Sequence, residues 1–487
     1  MTLKNKAIKG FSWTAFEGVF SQGFLFVIGI LLARILEPED IGLIGLITAV
    51  IAITNSIVEG GLGSALIRKV ECNSKDYNTV FFTNLGIGIL LYIILFNSSS
   101  ELSIFFKAPL LSKILKYAGL LLIINACSIV QRTILTKKLD FKTQAIISII
   151  ASITSGVSAF IMAYLDYGIW SLVVLAILRP LINSILLWLK KIWRPRLEFS
   201  TKSFNELFNF GYKLLVANLI NTVYRNFYYI LIGKYFSTQS LGYYTRAEGF
   251  QSPFSSNIST AIRRISFPIL SSLQNDPKPL KATFIKFLRF SLFLNFTIML
   301  SISAMAKPII LLLIGEKWHT SIYYLQLLCI PGMLYPLQIL HLNLLLIKGY
   351  SNLNLKLEIV KKIILLPLIF GSVLLGIEAM IYALIVFSFV EYFINSYYTK
   401  KIIKYTIIHQ LKDILPFLTI AVLVFISMYC ITLLNIHYIA MLVAQIIIGI
   451  ATFLIVNEVL QLNEYIEVKK KAINLFLKST KNIWKKK

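Results

Sequence analysis

The chain has 487 residues, 57% of them hydrophobic and 14% charged, with a net charge of +26. Together with a mean hydropathy of +0.76, that balance excludes an ordinary soluble domain and leaves an all-α polytopic membrane protein. A bilayer-crossing helix needs about 20 apolar residues, and the sequence offers about fourteen such segments separated by short polar breaks.

The predicted spans begin with Phe11–Ala33, Ile41–Ala65, Thr79–Asn97, Ile114–Thr136, Thr143–Tyr164 and Ile169–Leu189. They continue with Gly211–Ile232, Thr245–Leu270, Phe287–Ala306, Ile322–Ile347, Ile359–Leu375 and Ile377–Tyr397, and close with Ile414–Leu434 and Ile439–Val459. If the N-terminus is cytoplasmic, the inner segments collect Lys4, Lys6, Lys9, Lys137, Lys138, Lys142, Lys190, Lys191, Arg194, Arg196 and the tail from Lys469 to Lys487. The outer segments keep little beyond Arg34, Lys107, Lys113, Lys116, Lys234, Lys307 and Lys317. This is the positive-inside bias, so both termini are expected in the cytoplasm. A basic tail beside anionic lipid accounts for the charge without nucleic acid. The apolar run after MTLKNKAIKG is too long for a signal peptide and reads as the first span. Cys72, Cys127, Cys329 and Cys430 form no CxxC pair, so no metal, cofactor or disulfide is expected.

Ionisable groups at membrane depth face a bundle interior or water, which makes the polar positions inside spans informative. The first span puts Thr14, Glu17 and Ser21 on one face, and the second aligns Thr48, Asn55 and Glu59. Each acid either points inward or reaches interfacial water from a span end. In the fourth span Asn125, Ser128, Arg132 and Thr136 align, with Arg132 either lining a cavity or snorkelling. Ser148, Ser152 and Ser155 of the fifth have the spacing that cements helix packing. Arg179 lies near the middle of the sixth span beside Pro180, which should kink the helix; the arginine either lines a cavity or pairs with an inward acid.

The segment 190–210 reads as a linker, after which Asn218, Asn221 and Arg225 share a face of the seventh span. The eighth span gathers Glu248, Ser252, Ser255, Ser256, Ser259 and Arg263 in a stripe about 100° wide, opposite Phe250, Phe254, Ile258, Ala261 and Ile265. Its polar side is expected to line something wet. Arg264 lies about 100° from Arg263. The connection 307–321 is expected at the membrane interface with Trp318 as an anchor. Gln338 and His341 share a face, as do Glu391 and Asn395, and the last two spans read as peripheral.

RILEPEDIGL from Arg34 and KYFSTQSLGY from Lys234 match in pattern at a shift of 200 residues, and SALIR from Ser64 parallels TAIRR from Thr260. Such repeats point to duplication, as in transporters that bind substrate between two repeats. The expected organisation is an N-terminal six-helix lobe (1–189), the linker (190–210), a second six-helix lobe (211–398), two peripheral helices (399–459) and a basic tail (460–487).

The run GYYTRAEGFQSPFSSNISTAIRRISFPILSSLQND, followed by LLIGEKW and a KGY turn, resembles the Wzx-type lipid-linked polysaccharide flippases, in the WzxC/TuaB-like branch of the MOP exporters. LARILEPEDIGLIGL, EGGLGSALIRK, KKLDFK, DYGIWSLV and RPRLEFSTKSFNELFNFGY extend the resemblance over nearly the whole chain. It implies two six-helix lobes around a central cavity plus two C-terminal helices, in the bacterial cytoplasmic (inner) membrane. It implies as cargo an oligosaccharide linked through diphosphate to undecaprenol, with the polysaccharide polymerase and chain-length machinery as partners. A monomer is expected.

Residue chemistry suits that cargo. Forked guanidinium donors match phosphate oxygens, so Arg179, Arg225, Arg263 and Arg264 are the diphosphate candidates. Asn218, Asn221, Ser252, Ser256 and Ser259 offer neutral partners to sugars, and Glu17, Glu59 and Glu391 are candidates for coupling transport to protons or sodium. The chain lacks a GxxxxGK[ST] phosphate loop, so it is not expected to hydrolyse ATP. A MATE-type multidrug or cation antiporter is the first alternative, although it would want deep acids where this chain has deep cations. A membrane polysaccharide polymerase or ligase is the second. It would need a long external loop with catalytic groups, whereas His319 has no evident triad, so no catalytic residue is assigned.

Overall fold

The computed structural model describes residues 3–434 and 436–471, with side chains of 3–9, 11 and 351 outside the described set. The side chains of Lys4, Lys6 and Lys9 and most of the expected basic tail therefore lie outside the described residues. Regular structure among the described residues is helical throughout.

The first helices are α1 (Leu3–Ile35), α2 (Pro38–Glu59), α3 (Leu62–Arg68), α4 (Ser74–Phe105), α5 (Pro109–Ala118) and α6 (Leu120–Lys137). Next come α7 (Phe141–Tyr164), α8 (Trp170–Leu189), α9 (Thr201–Tyr235), α10 (Thr238–Ser272), α11 (Pro277–Ala304) and α12 (Ala306–Leu313). The rest are α13 (His319–Ile347), α14 (Ser351–Val373), α15 (Ile377–Ile403), α16 (Ile407–Thr432) and α17 (Tyr438–Leu460). Local chemistry sets their starts: Pro38 opens α2, the Asn73 side chain accepts the Asp76 N–H at 2.9 Å, and Asp140 accepts the Thr143 N–H at 3.1 Å.

Eleven helical segments among the described residues are long and apolar enough to cross a membrane, with α5 and α6 together making one of them. Three further helices, α9, α10 and α14, have 35, 35 and 23 residues but fall outside that set. Their sequences carry the arginines, serines and lysines that lower the hydropathy. The expected count of about fourteen rests on these three crossing as well.

By internal contact the chain divides into two compact units, 1–245 and 246–487. In the first, α1 packs on α7, α7 on α8, α4 on α5 and α6, and α2 lies against α6 and α9. A core of Leu62, Leu66, Phe81, Val130, Ile134 and Leu207 closes one end, with Trp188 and Trp193 edge-on to the Phe81 ring. The segment before α9 is tied to α4: the Ser200 N–H donates to Thr79 Oγ1 at 3.0 Å, and Lys69 bridges Asp76 (3.1 Å) and Glu206 (2.9 Å).

Glycine lets α2 approach its neighbours closely at both ends. A Cβ on Gly61, which has φ 67°, would lie 2.3 Å from the Gly211 carbonyl oxygen. At the other end, a Cβ on Gly42 would lie 1.7 Å from the Thr238 oxygen, and one on Gly242 would lie 1.8 Å from the Pro38 oxygen. Pro38 and Thr238, like Gly42 and Gly242, correspond at the 200-residue shift. The two copies of the repeat therefore meet reciprocally, as symmetric partners do. These contacts group α9 and the first turns of α10 with the preceding helices.

In the second unit α11 packs on α13 and α16, α13 and α14 on α15, and α16 on α17. One expectation is corrected here. Trp318 is no interfacial anchor: it is 0% exposed, beneath the Arg246 guanidinium 5.9 Å from its ring centre. The apolar helix α12 buries Pro308, Ile310 and Leu311, and Trp318 is the buried residue of the turn that follows. The last two helices pack on one side of this unit through α11 and α12. Phe417, Ile420 and Val424 of α16 are buried, and α11, α16 and α17 together line an apolar cleft of about 280 Å³ that includes Phe293, Met428, Gly449 and Phe453.

Candidate functional site

The first unit holds a cavity of about 460 Å³ between α1, α6, α7 and α8. Thr14 and Glu17 reach it from α1, Asn125 and Arg132 from α6, Gln144 and Ser148 from α7, and Arg179, Pro180 and Asn183 from α8. Four stripes that the sequence places on separate spans thus converge. Pro180 lacks an N–H, which breaks the backbone ladder of α8 beside Arg179.

Glu17 Oε1 accepts a hydrogen bond from Ser148 Oγ at 2.6 Å. The Glu17 carboxylate is also the charge that acts on Arg179. Arg132 is exposed to the opening and reaches Ser128 Oγ at 3.4 Å. Asn125 donates to Asn55 Oδ1 at 3.0 Å and Asn55 donates to Glu59 Oε1 at 3.2 Å, so Glu59 is joined to the cavity wall through two amides. Two guanidiniums line the cavity against one carboxylate. Such a site suits an anion with several oxygens, since each guanidinium presents parallel donors.

Ser152 and Ser155 of α7 are buried in helix packing, as their spacing suggests, whereas Ser148 faces the cavity. On α9 the expected face is present: Asn218, Asn221 and Arg225 are all exposed. Arg263 and Arg264 on α10 are exposed, and Ser252 and Ser256 half-buried.

The polar stripe of α10 is only partly open, which corrects the expectation for Ser259. That side chain is 3% exposed and bonds the Ser255 carbonyl of its own helix at 2.6 Å. Gln251 and Ser255 are buried beside it, 3.0 Å apart, with Gln251 seated where Gly332 of α13 leaves room. Phe254 and Ile265, on the opposite, apolar side, are 44% and 57% exposed. A serine hydroxyl satisfied by the preceding turn is cheap to bury. In a membrane protein, moreover, apolar exposure gives no reason to turn a helix around.

The second unit holds a charged cluster whose centre the sequence reading misses. Lys361 on α14 is 2% exposed, and its ammonium lies 2.5 Å from Glu358 Oε1 and 2.8 Å from Glu391 Oε1. Glu391 is marked by the sequence as an inward acid; its partner is not. The signal is present, since Glu358 and Lys361 stand three apart at the start of a predicted span and Glu391 needs a counter-charge. His341 nearby is buried, sharing a 2.7 Å hydrogen bond between Nδ1 and Thr399 Oγ1.

The sequence matches the model of a family described as polysaccharide biosynthesis protein over residues 31–323. It is 27% identical to the lipopolysaccharide biosynthesis protein WzxC of Escherichia coli (strain K12) over 376 residues, which are 76% of this chain and 75% of that one. The fold is similar to that of the lipid II flippase MurJ in an inward closed conformation, with TM-score 0.75 and 16% identity, covering 92% of this chain and 98% of the other. It is also similar to an inward-facing MATE family multidrug resistance transporter of the MOP superfamily, with TM-score 0.62 and 14% identity over 79% of this chain and 96% of that one. At those identities the structural likeness speaks for the fold alone.

Proposed function

The chain belongs to the polysaccharide biosynthesis protein family, among the Wzx-type flippases of the MOP superfamily, and from this premise we propose how its cavity serves a lipid-linked oligosaccharide. The protein is a multi-pass membrane transporter that flips lipid-linked oligosaccharide for surface polysaccharide biosynthesis. The cargo we propose is a repeat unit carried on undecaprenyl diphosphate, moved from the cytoplasmic to the outer leaflet by alternating access. The observation that carries this reading is the pair Arg132 and Arg179, lining one cavity whose only acid is Glu17. A diphosphate entering there exchanges its hydration for forked donors, each charge-assisted hydrogen bond contributing about 1.5–3 kcal/mol. Exposed Arg225, Arg263 and Arg264 are further contacts for the diphosphate, and Asn218, Asn221, Ser252 and Ser256 for the sugars.

A MATE-type cation antiporter shares the fold, but a cavity with two cations against one acid favours an anion. We place α9, α10 and α14 across the bilayer with the eleven apolar segments, giving two six-helix lobes followed by α16 and α17. Both termini are then cytoplasmic, in the inner membrane. The protein acts as a monomer and hands its product to polymerase and chain-length machinery. Coupling to protons or sodium runs through Glu17, Glu59 or Glu391.

Two experiments test this. In the native bacterium, Arg179→Ala, Arg225→Ala and Arg263→Ala should each remove surface polysaccharide while the protein stays in the membrane; normal polymer from all three overturns the cavity assignment. Cysteines placed at Lys278 and Lys317 should label from opposite sides, and same-side labelling breaks the topology.

A further inference from the structure

Among the described residues Lys361 is the one buried lysine or arginine. It lies ten residues into α14, about 15 Å along the helix, and Glu391 lies twelve residues before the end of α15, about 18 Å from it. Because α14 and α15 form a hairpin through Leu374–Gly376, these distances run from the same end. On the predicted spans Ile359–Leu375 and Ile377–Tyr397 the cluster lies toward that shared end, with Lys361 two residues and Glu391 six residues inside it. A charge buried inside a span is costly unless it is paired.

The charges are unequal. One ammonium serves two carboxylates, and neither carboxylate has a second cation within 4.0 Å among the described residues. Two carboxylates sharing one ammonium leave one negative charge that the pair contact does not offset. Exposure is unequal too. The Glu358 and Glu391 side chains are 30% and 18% exposed against 2% for Lys361, so the acids are the more accessible members of the cluster. The seat that a metal cation would take between the carboxylates is already filled by Lys361 Nζ.

Of the neighbouring charged and titratable groups, Lys362 acts on the cluster and the others are engaged elsewhere. From α13, His341 is turned to Thr399 and Gln338 donates to the Ser388 carbonyl at 3.3 Å. From α11, Arg289 pairs with Glu464 at 2.8 Å and with Asp413 of α16 at 3.8 Å. Lys362, next along α14, acts on Glu358 but also takes part in further interactions.

We propose that Lys361, Glu358 and Glu391 form a proton-exchange site in which a fixed ammonium stands where a metal ion would otherwise sit. The carboxylate pair takes one proton from the outer side and releases it to the cytoplasm as cargo moves outward; no other bond is made or broken. This rests on the flippase reading, and it selects proton over sodium coupling. Replacing either acid by glutamine leaves a neutral one-to-one pair with no proton to exchange.

The test uses the full-length chain in two measurements. In infrared difference spectra taken in detergent, without cargo, lowering the pH from mildly alkaline to mildly acidic should raise a protonated-carboxyl band in the wild type. Glu358→Gln and Glu391→Gln should each lose it. Absence of the band, or an equal band in both variants, overturns the site even if the chain proves not to be a flippase. In liposomes, with fluorescent undecaprenyl-diphosphate disaccharide as probe, an imposed pH gradient should raise the wild-type flipping rate about tenfold per unit, and a sodium gradient should leave it unchanged. In either glutamine variant the ratio of rates with and without the pH gradient should fall to about one. A wild-type rate that follows sodium, or variants that keep the pH response, overturns the proposal. A wild type that fails to move the probe overturns the flippase reading, while the infrared result still decides the proton site.

Discussion

The cavity of the first unit and the charged cluster of the second treat the same problem in opposite ways. Around Arg179 two cations face one acid in a space of about 460 Å³. Around Lys361 two acids hold one cation that is 2% exposed. The first arrangement has donors to offer an anion entering from water. The second has its donors satisfied internally and an excess of acid, so a proton suits it better than a bulky ligand. Burial and the sign of the excess charge therefore separate two polar clusters that composition alone would pool.

Four substitutions would break or sharpen that contrast. The largest effect is expected from the double variant Glu358→Gln/Glu391→Gln, which leaves Lys361 buried and unpaired. Its cost should be about 3–5 kcal/mol, seen as a loss of folded protein in a detergent thermal-shift measurement. A double variant as stable as either single one would mean that water reaches the Lys361 ammonium. Next, Arg179→Ala should lower affinity for undecaprenyl diphosphate about 10- to 100-fold with little change in stability, since it removes one or two charge-assisted contacts from an open site. Equilibrium binding of the labelled lipid reads this directly, and an unchanged affinity would detach the cavity from the cargo.

Glu17→Gln should act in the opposite direction. It removes the acid that acts on Arg179 and should strengthen diphosphate binding by about two- to fivefold, at an interaction of ~1 kcal/mol or less. Weaker binding would mean that Glu17 orients Arg179 instead of competing for it. The smallest effect is expected from Ser259→Ala, at about 1 kcal/mol or less in stability and no change in lipid binding, because its hydroxyl bonds its own helix. A loss of binding would show that α10 turns in another conformation to present it.

Much of this is legible in the sequence. The apolar spans and the repeat at a shift of 200 residues follow from hydropathy and pattern. So does the inward position of Arg179, because a mid-span arginine beside a proline has few other places to go. The expected linker at 190–210, by contrast, is non-helical only up to Ser200, with α9 starting at Thr201. Facing direction is less legible. Helical periodicity puts Ser259 and Arg263 in one stripe, but which edge of the stripe meets a neighbour depends on Gly332 and Met299 of other helices. Trp318 misleads for a related reason: the apolar segment before it folds inward, and its composition would serve equally well at an interface. Lys361 stands out only once Glu391 is taken as an inward acid that implies a counter-charge. The reciprocal meeting of Gly42 and Gly242 cannot be read from either copy alone, since it is a contact between the two.

In the function proposed above, the chain carries a lipid diphosphate across the bilayer through the cavity that Arg179 lines. The most direct test is flipping by the purified full-length protein in liposomes, with a fluorescent undecaprenyl-diphosphate oligosaccharide and a membrane-impermeant quencher. Wild-type protein should expose the inner-leaflet probe faster than protein-free liposomes do, and Arg179→Ala, inserted to the same level, should not. A wild type no faster than bare liposomes, or a variant as fast as the wild type, would contradict the account.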